Sequence, residues 1–279
     1  MVSIAAGVAP QRRWHTDVVQ EQLRFAVLGD PIDHSRSPAI HTAALDHLGL
    51  RGSYVAIRAG SAELRSAVED LREGSFDGFN ITMPLKEEAA ELAESLTTEA
   101  ERSGSVNTLR ARNHLIEGHS SDVIATSRAL GDPRFDSRAP VLVLGAGGAA
   151  AALLAGATTR EIYLAARKED RAHALVERVG IEAGVIPFGA GVAGALVINA
   201  TPLGMSGEII PEPVLGVASG IIDLAYGQNE TPTVARARGN GLPILDGVEF
   251  LVLQAAVSFE WWLGRPAPVE VMVAAARNA

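Results

Sequence analysis

The sequence predicts an α/β fold in two domains with largely parallel sheets. Short apolar runs alternate with longer helix-periodic segments along the chain, and one strongly apolar run leads directly into a glycine-rich turn. The chain has 279 residues, of which 47% are hydrophobic and 20% charged, so it can fill more than one small core.

The first half of the chain alternates strands and helices that are bounded by turn residues. Helix 38–48, for example, has apolar residues at Ile40, Ala44 and Leu48 and a proline in its first turn. The predicted elements are strand 25–28, helix 38–48, strand 54–57, helix 62–71, strand 78–82, helix 87–96, strand 105–109 and helix 122–130.

The second half begins with a continuous apolar run over 140–144, which is typical of a strand buried on both faces of a parallel sheet. The further predicted elements are a helix after the glycines, strand 161–165, helix 171–179, strands 195–199 and 220–224, helix 233–238, strand 243–245, and helices 247–262 and 269–276. We therefore divide the chain near residue 122. The expected units are an N-terminal extension over 1–22, a first domain over 23–122, a second over 123–246, and C-terminal helices over 247–279 that return to the first domain.

Composition disfavours several classes of protein. Lys and Arg total 24 against 33 Asp and Glu, and the net charge of −9 argues against a nucleic-acid partner. The absence of cysteine excludes disulfides, zinc-thiolate sites and a catalytic thiol, and it suits a cytoplasmic location. The most apolar stretch, residues 145–157, is too short to cross a bilayer, so we expect no membrane association. The seven histidines show no tight ligand spacing, so we expect no metal.

A dinucleotide-binding signature follows strand 140–144, where G-x-G-x-x-A opens a helix. Gly145 permits a tight turn, Gly147 lets the backbone approach a pyrophosphate, and the small Ala149 and Ala150 let the helix pack closely on the sheet. The N–H groups at the helix start favour an anion. The second domain is therefore predicted to be a Rossmann-type, doubly wound parallel sheet.

The next strand indicates which cofactor binds. NAD enzymes usually end this strand with an acidic residue, but here Arg167 and Lys168 follow it and Arg171 lies one turn on. Three cations favour the 2′-phosphate of NADP, although the nearby Glu169 and Asp170 keep NAD open as the less favoured alternative.

Polar clusters stand where the strands of the first half end, over residues 33–38, 80–86, 106–108 and 118–122. They contain hydroxyls, amides, a carboxylate and Lys86, which is one of only two lysines in this arginine-rich chain. This set of groups suits a small polyol that bears a carboxylate, and a lysine can release and recover a proton where an arginine cannot.

These clusters, together with the glycine turn, form ordered motifs that resemble the shikimate dehydrogenases over residues 24–265. The motifs are HSRSP (34–38), NITMPLK (80–86), SVNT (105–108), GAGGAA (145–150), NATPLGM (199–205), DLAY (223–226) with TP (231–232), and GVEFLVLQA (247–255). The resemblance implies an oxidoreductase acting on a CH–OH group, which reversibly reduces 3-dehydroshikimate to shikimate with NADP in the biosynthesis of chorismate and aromatic amino acids. It also implies a substrate domain ahead of the Rossmann domain.

The resemblance also implies roles for individual residues. The catalytic pair would be Lys86 and Asp122. The substrate carboxylate would bind Ser35 and Ser37, and the rest of the substrate would contact Asn80, Thr82, Asn107, Tyr226 and Gln254. The cofactor contacts would be Gly145, Ala146, Gly147, Gly148, Ala149, Ala166, Arg167, Lys168, Arg171, Thr201, Met205, Leu224 and Gly247.

The sequence departs from the family pattern at a few positions. Ser120 and Ser121 precede Asp122 where the family usually has Asn-Thr, Thr42 follows His41 where the family usually has Asn, and the NRTxxR cofactor signature is reduced over 166–171. These changes leave open a quinate/shikimate or aminoshikimate dehydrogenase. A non-catalytic ligand-binding paralogue is the alternative of another class, although it would not require both Lys86 and Asp122. The sequence allows a monomer or a homodimer.

Overall fold

The computed structural model describes residues 22–157, 160–227 and 229–279, and within these ranges it contains two six-stranded sheets. All of the expected N-terminal extension except residue 22 lies outside the described residues. Among the described helices, none combines the length and apolarity that a membrane span requires.

The first sheet is mixed rather than largely parallel. Its strands are β1 (Leu23–Gly29), β2 (Gly52–Arg58), β3 (Gly78–Ile81), β4 (Ser95–Leu96), β5 (Thr108–Arg112) and β6 (Leu115–His119), in the order β2-β1-β3-β5-β6-β4. Strand β1 pairs in parallel with β2 and β3, but β5 runs antiparallel to both β3 and β6. The helices of this half are α1 (Ser37–His47), α2 (Ser61–Arg72), α3 (Lys86–Leu92), α4 (Thr98–Ser103) and α5 (Ser121–Leu130).

The second sheet is entirely parallel. Its strands are β7 (Val141–Leu144), β8 (Ile162–Ala166), β9 (Gly184–Pro187), β10 (Leu196–Asn199), β11 (Gly220–Asp223) and β12 (Ile244–Leu245), in the order β12-β11-β10-β7-β8-β9. This is the doubly wound dinucleotide-binding order, in which the chain crosses back beside β7 and leaves a crevice at the carboxyl ends of β7 and β10. The helices are α6 (Gly148–Gly156), α7 (Glu169–Val179), α8 (Glu212–Leu215) and α9 (Pro232–Gly239).

The last two helices, α10 (Gly247–Leu263) and α11 (Val269–Asn278), lie against the first sheet although they follow the second in sequence. Phe259 of α10 and Met272 of α11 are buried in one core with Phe25 of β1 and Ile40 of α1. Helix α10 also packs along α5 and therefore reaches the place where the two sheets meet.

Several short elements differ from the sequence prediction. The helix expected over 87–96 ends at Leu92, because residues 95 and 96 pair with β6 as β4. The strand expected over 105–109 begins only at Thr108, and it continues into β6 through a two-residue turn in which Asn113 and His114 both have positive φ. Elements α4, β6, β9 and α8 were not predicted, because each has only four to six residues and so shows little hydrophobic periodicity.

Candidate active site

Lys86 and Asp122 form an ion pair in the first half of the molecule. The Nζ of Lys86 lies 2.6 Å from Oδ2 of Asp122, and their side chains are 16% and 10% exposed. Lys86 is the first residue of α3 and Asp122 lies in the first turn of α5, so the fold brings together two helix starts that are 36 residues apart. The amine and carboxylate that the sequence singled out therefore lie in direct contact.

Hydrogen bonds connect both helix starts to the segment that precedes β5. The N–H of Val106 donates to the carbonyl oxygen of Lys86 at 2.9 Å. The N–H of Ser121 donates to Oδ1 of Asn107 at 2.8 Å. Asp122 also lies in the first turn of α5, at the positive end of the helix dipole. The SVNT segment thus holds both members of the pair in register.

A buried polar network extends from this pair toward α10. Asn107, which is 3% exposed, donates from Nδ2 to Ser121 Oγ at 2.8 Å and lies 3.4 Å from Gln254 Oε1. Asn80, which is 6% exposed, donates from Nδ2 to Ser258 Oγ at 3.0 Å. Three of the predicted substrate contacts, Asn80, Asn107 and Gln254, therefore belong to one connected set.

Four members of this network, Tyr54, Thr108, Ser121 and Ser258, were not assigned as site residues from the sequence. The Tyr54 hydroxyl donates to Asn80 Oδ1 at 2.7 Å, and Ser121 and Ser258 are bonded to each other at 3.0 Å. The available signal was weak: Ser258 stands four residues after Gln254 and so shares its face of α10. Burial raises the pKa of Tyr54, while a hydrogen bond with Ser37 opposes that rise, so Ser37 also borders the network.

The predicted carboxylate contacts lie at the start of α1. Ser37 is buried, and its backbone N–H donates to Ser35 Oγ at 3.3 Å, so Ser35 also has a local structural role there. The guanidinium carbon of Arg36 lies 5.7 Å from the centroid of the Tyr226 ring. Burial raises the pKa of Tyr226. Thr82 follows β3 and is partly exposed.

The ring of His41 is buried beside Tyr54, a member of this network. Its ring stacks on Tyr54 with centroids 4.4 Å apart and planes 2° apart, and the residue is 1% exposed. Burial lowers the pKa of His41 to about 3, so the ring is neutral at ordinary pH. Within the described part of the chain, its Nε2 has no hydrogen-bond partner.

The glycine turn after β7 forms an open cradle. Gly145 has φ +117°, and a Cβ there would lie 2.9 Å from the carbonyl oxygen of Ala200, so this position requires glycine. Gly147 is exposed, and a Cβ built on it would meet nothing within 4 Å. Gly147 is also the N-cap of α6 without a side-chain cap, so the first N–H groups of α6 are free to bind an anion. The cradle has the shape and polarity that a pyrophosphate needs.

The cradle adjoins the ion pair. A Cβ on Gly148 would lie 3.5 Å from Cβ of Lys86 and 3.3 Å from Ser105 Oγ. Ala146 and Ala149 lie in the same turn and are partly buried. The nucleotide cradle and the side chain of Lys86 are therefore direct neighbours.

A basic cluster follows β8. Ala166 ends the strand, Arg167 and Lys168 come next, and Arg171 lies in the first turn of α7. The three cationic residues are exposed, and among the described residues no ion pair or side-chain hydrogen bond holds any of them. The nearby Glu169 faces His173 at 3.7 Å. The cations are therefore free to bind an anion.

Side-chain hydrogen bonds shape the loops after β10 and β11. Asn199 donates to Asp223 Oδ1 at 2.8 Å, and Asp223 Oδ2 accepts from the Thr231 hydroxyl at 2.6 Å. Burial raises the pKa of Asp223. The Thr201 hydroxyl donates to Asn199 Oδ1 at 2.6 Å, which fixes the start of the loop that leads to Met205. This network holds the loop at the carboxyl edge of the sheet.

The remaining predicted cofactor residues border the same edge. Met205 is 53% exposed, and Leu224 is partly buried and donates its N–H to the carbonyl oxygen of Asn199 at 3.0 Å. A Cβ on Gly247 would lie 2.5 Å from the carbonyl oxygen of Ala225, so glycine allows the start of α10 to approach this edge. No group of three or more His, Asp or Glu side chains in the described ranges is arranged to hold a metal ion.

Two family models match the sequence. The shikimate dehydrogenase substrate binding domain matches residues 27–109, and the shikimate 5'-dehydrogenase C-terminal domain matches residues 247–277. The chain is 38% identical over 269 residues to shikimate dehydrogenase (NADP(+)) of an Anaeromyxobacter species, covering 90% of this chain and 94% of that one. It is 36% identical over 262 residues to the enzyme of the same name from Thermus thermophilus, covering 92% and 98%.

Solved structures show the same architecture. Shikimate 5-dehydrogenase of Thermus thermophilus, in complex with NADP(H) and shikimate, superposes with a TM-score of 0.83 at 33% identity and covers 92% of this chain and 99% of that one. Shikimate dehydrogenase of Mycobacterium tuberculosis superposes with a TM-score of 0.80 at 32% identity, covering 92% and 100%.

Proposed function

The chain belongs to the shikimate dehydrogenase family, and from this premise we propose that it reversibly reduces 3-dehydroshikimate to shikimate with NADP. The observation that carries the proposal is the 2.6 Å contact between Lys86 and Asp122 beside Gly148 of the nucleotide cradle. In this arrangement Lys86 would serve as a proton donor beside the bound dinucleotide.

The cradle and the basic cluster fit NADP. The turn from Gly145 to Ala149 would receive the pyrophosphate, and Arg167, Lys168 and Arg171 would bind the 2′-phosphate. Ala166, Thr201, Met205, Leu224 and Gly247 would line the path between the two sheets. When bound, the nicotinamide supplies hydride chemistry, and the protein supplies geometry and proton handling.

Lys86 would donate a proton to the oxygen of the substrate ketone as that oxygen gains negative charge, and it would recover the proton in the reverse direction. Asp122 would hold the Lys86 ammonium in place and accept a hydrogen bond from the substrate hydroxyl. Arginine could not serve in place of Lys86, because its guanidinium stays protonated.

The substrate would be oriented by groups that differ in chemistry at its two ends. Ser35 and Ser37 would bind the carboxylate through their hydroxyls. Further contacts to the ring and its hydroxyls would come from Asn80, Thr82, Asn107, Tyr226 and Gln254. The connected network behind the amides supports this arrangement, because it leaves these side chains little freedom to reorient.

We assign residues 23–122 to the substrate domain, 123–246 to the NADP domain and 247–279 to helices that return to the substrate domain. The packing of α10 and α11 on α1 supports this division. We further propose a cytoplasmic enzyme of aromatic amino-acid biosynthesis that works as a monomer or a homodimer.

The test is steady-state turnover of the purified protein, followed by the absorbance of reduced nicotinamide at about 340 nm. Shikimate and quinate would each be offered with NADP and with NAD, and a no-substrate reaction is the blank. We expect shikimate with NADP to give the highest kcat/KM. A preference for quinate with NAD would contradict the proposal, and no turnover in any arm would indicate a ligand-binding paralogue.

A further inference from the structure

We propose that Ser258 is a positioning residue that orients the amide of Asn80 and, through Ser121, the amides of Asn107 and Gln254 toward the substrate. The inference rests on the proposed function, since it assigns a role within the same site. Ser258 lies on α10, has no exposed surface, and stands one helical turn after Gln254.

The Ser258 hydroxyl is a junction between four elements. Its Oγ lies 3.0 Å from Asn80 Nδ2 on β3, 2.8 Å from Thr108 Oγ1 on β5 and 3.0 Å from Ser121 Oγ on α5. It also lies 3.2 Å from the carbonyl oxygen of Gln254 on its own helix. A serine that only bonded back to its own helix would make just the last of these contacts.

The number of hydroxyl hydrogens determines which groups donate and which accept at this junction. A hydroxyl carries one hydrogen and two lone pairs, so Ser258 can accept from Asn80 Nδ2 while it donates one bond, for which Ser121 Oγ is a suitable acceptor. Ser121 can then donate to Gln254 Oε1 at 3.3 Å and accept from Asn107 Nδ2 at 2.8 Å. The chain of bonds therefore ends on amides that were assigned to the substrate.

The same bonds lock the Asn80 amide in one orientation. Its Oδ1 accepts from the Tyr54 hydroxyl at 2.7 Å, and its Nδ2 lies 3.1 Å from the carbonyl oxygen of Asn107. A flipped amide would direct Oδ1 at that carbonyl oxygen, and two acceptors would then face each other. Removing the Ser258 hydroxyl takes away one of the acceptors that hold Nδ2 and leaves the buried Ser121 Oγ with one donor, Asn107 Nδ2, instead of two.

The test compares Ser258→Ala with wild type in shikimate oxidation. We expect KM for shikimate to rise about 5- to 20-fold and kcat to change by less than about threefold, because contacts to substrate hydroxyls are made in ground and transition states alike. The KM for NADP should stay within about twofold, since the network does not reach the nucleotide cradle. Ser258→Cys keeps a side chain of similar volume with weak hydrogen bonding and should show the same split, which covers the case that the alanine variant folds poorly.

Two controls separate positioning from a general structural role. Ser103→Ala removes another fully buried helical hydroxyl, whose Oγ bonds to backbone groups of Ala100 and Ser105, and it should leave KM for shikimate unchanged. In an Asn80→Ala background, Ser258→Ala should raise KM by a smaller factor than it does in wild type, because its contact with Asn80 is already gone while the path through Ser121 remains.

Three results would each overturn the inference while leaving the proposed function standing. The first is an unchanged KM for shikimate in both Ser258 variants, and the second is an equal rise of that KM in Ser103→Ala. The third is a double variant whose KM rises by the full product of the two single effects. A wild-type protein that neither binds nor oxidises shikimate would remove the proposed function and this inference with it.

Discussion

Replacing His41 with phenylalanine should make the free energy of unfolding depend less on pH. The His41 ring is buried against Tyr54, and burial lowers its pKa from 6.5 to about 3. An unfolded chain would bind a proton at this residue below about pH 6.5, whereas the folded protein would not until about pH 3. The contribution of His41 to stability is therefore fully present above the unfolded pKa and decreases as the pH falls between the two values.

The size of the effect follows from the proton difference. Each pH unit in which only the unfolded state holds the proton costs about 1.4 kcal/mol, so acidifying from about pH 7 to about pH 5 should cost about 2 kcal/mol through His41 alone. Phenylalanine removes this titration and can keep the aromatic stack on Tyr54. The loss of stability on acidification should therefore be about 2 kcal/mol smaller in His41→Phe than in wild type.

The assay is equilibrium urea unfolding of both proteins at the two pH values, which gives the free energy of unfolding in each condition. Burial also lowers the pKa of His119, to about 4, but that residue titrates in both proteins and cancels in the difference. Equal losses of stability in wild type and variant would show that His41 is not held neutral in the folded protein, and the argument from its burial would fail.

Two further predictions concern the cofactor site. Arg167→Ala should raise KM for NADP by about tenfold or more and leave KM for NAD nearly unchanged, because only NADP carries the 2′-phosphate; equal effects in steady-state kinetics would remove the charge argument. Gly145→Ala should destabilise the protein by about 1–3 kcal/mol and weaken NADP binding in a fluorescence titration, because φ is +117° and the new Cβ would press on Ala200. The control is Gly49→Ala, because Gly49 also has a positive φ, +64°, but a Cβ there would meet nothing within 4 Å. This variant should lose less stability than Gly145→Ala, and a smaller loss at Gly145 than at Gly49 would contradict the steric argument.

The central strands of the second sheet, β7, β10 and β11, were predictable because they are buried along their whole length. The continuous run over 140–144 could be assigned without knowing its neighbours, and β7 occupies Val141–Leu144. The glycines after it carry a local requirement that is visible in sequence: Gly145 adopts a positive φ, and Gly147 leaves space at a helix start. Where residue type reports a backbone or burial constraint directly, sequence and structure agree.

The first sheet was harder because its short strands carry weak local signals. The hairpin of β5 and β6 turns at Asn113 and His114, a pair that lacks the glycine usually read as a turn signal. Strand β4 has only two residues and forms because β6 offers an edge. Segments this short contain too few residues for hydrophobic alternation to predict β4 or β6.

The site divided in the same way. Lys86 and Asp122 could be selected from their motifs, because amines and carboxylates have recognisable chemistry, and the structure brings them to 2.6 Å. Tyr54, Ser121 and Ser258 could not be selected, because a single buried hydroxyl acquires its role only from partners on other elements. Their contribution depends on tertiary geometry, which local sequence does not encode.

The most direct test of the central claim is the kinetics of Lys86→Ala and Lys86→Arg with shikimate and NADP. Arginine keeps the positive charge beside Asp122 but cannot release a proton at working pH. If Lys86 transfers the proton, both variants should lose about 10²- to 10⁴-fold in kcat with little change in KM. If arginine restored kcat, or if KM rose while kcat held, Lys86 would only bind the substrate, and the assignment of the Lys86–Asp122 pair to catalysis would be wrong.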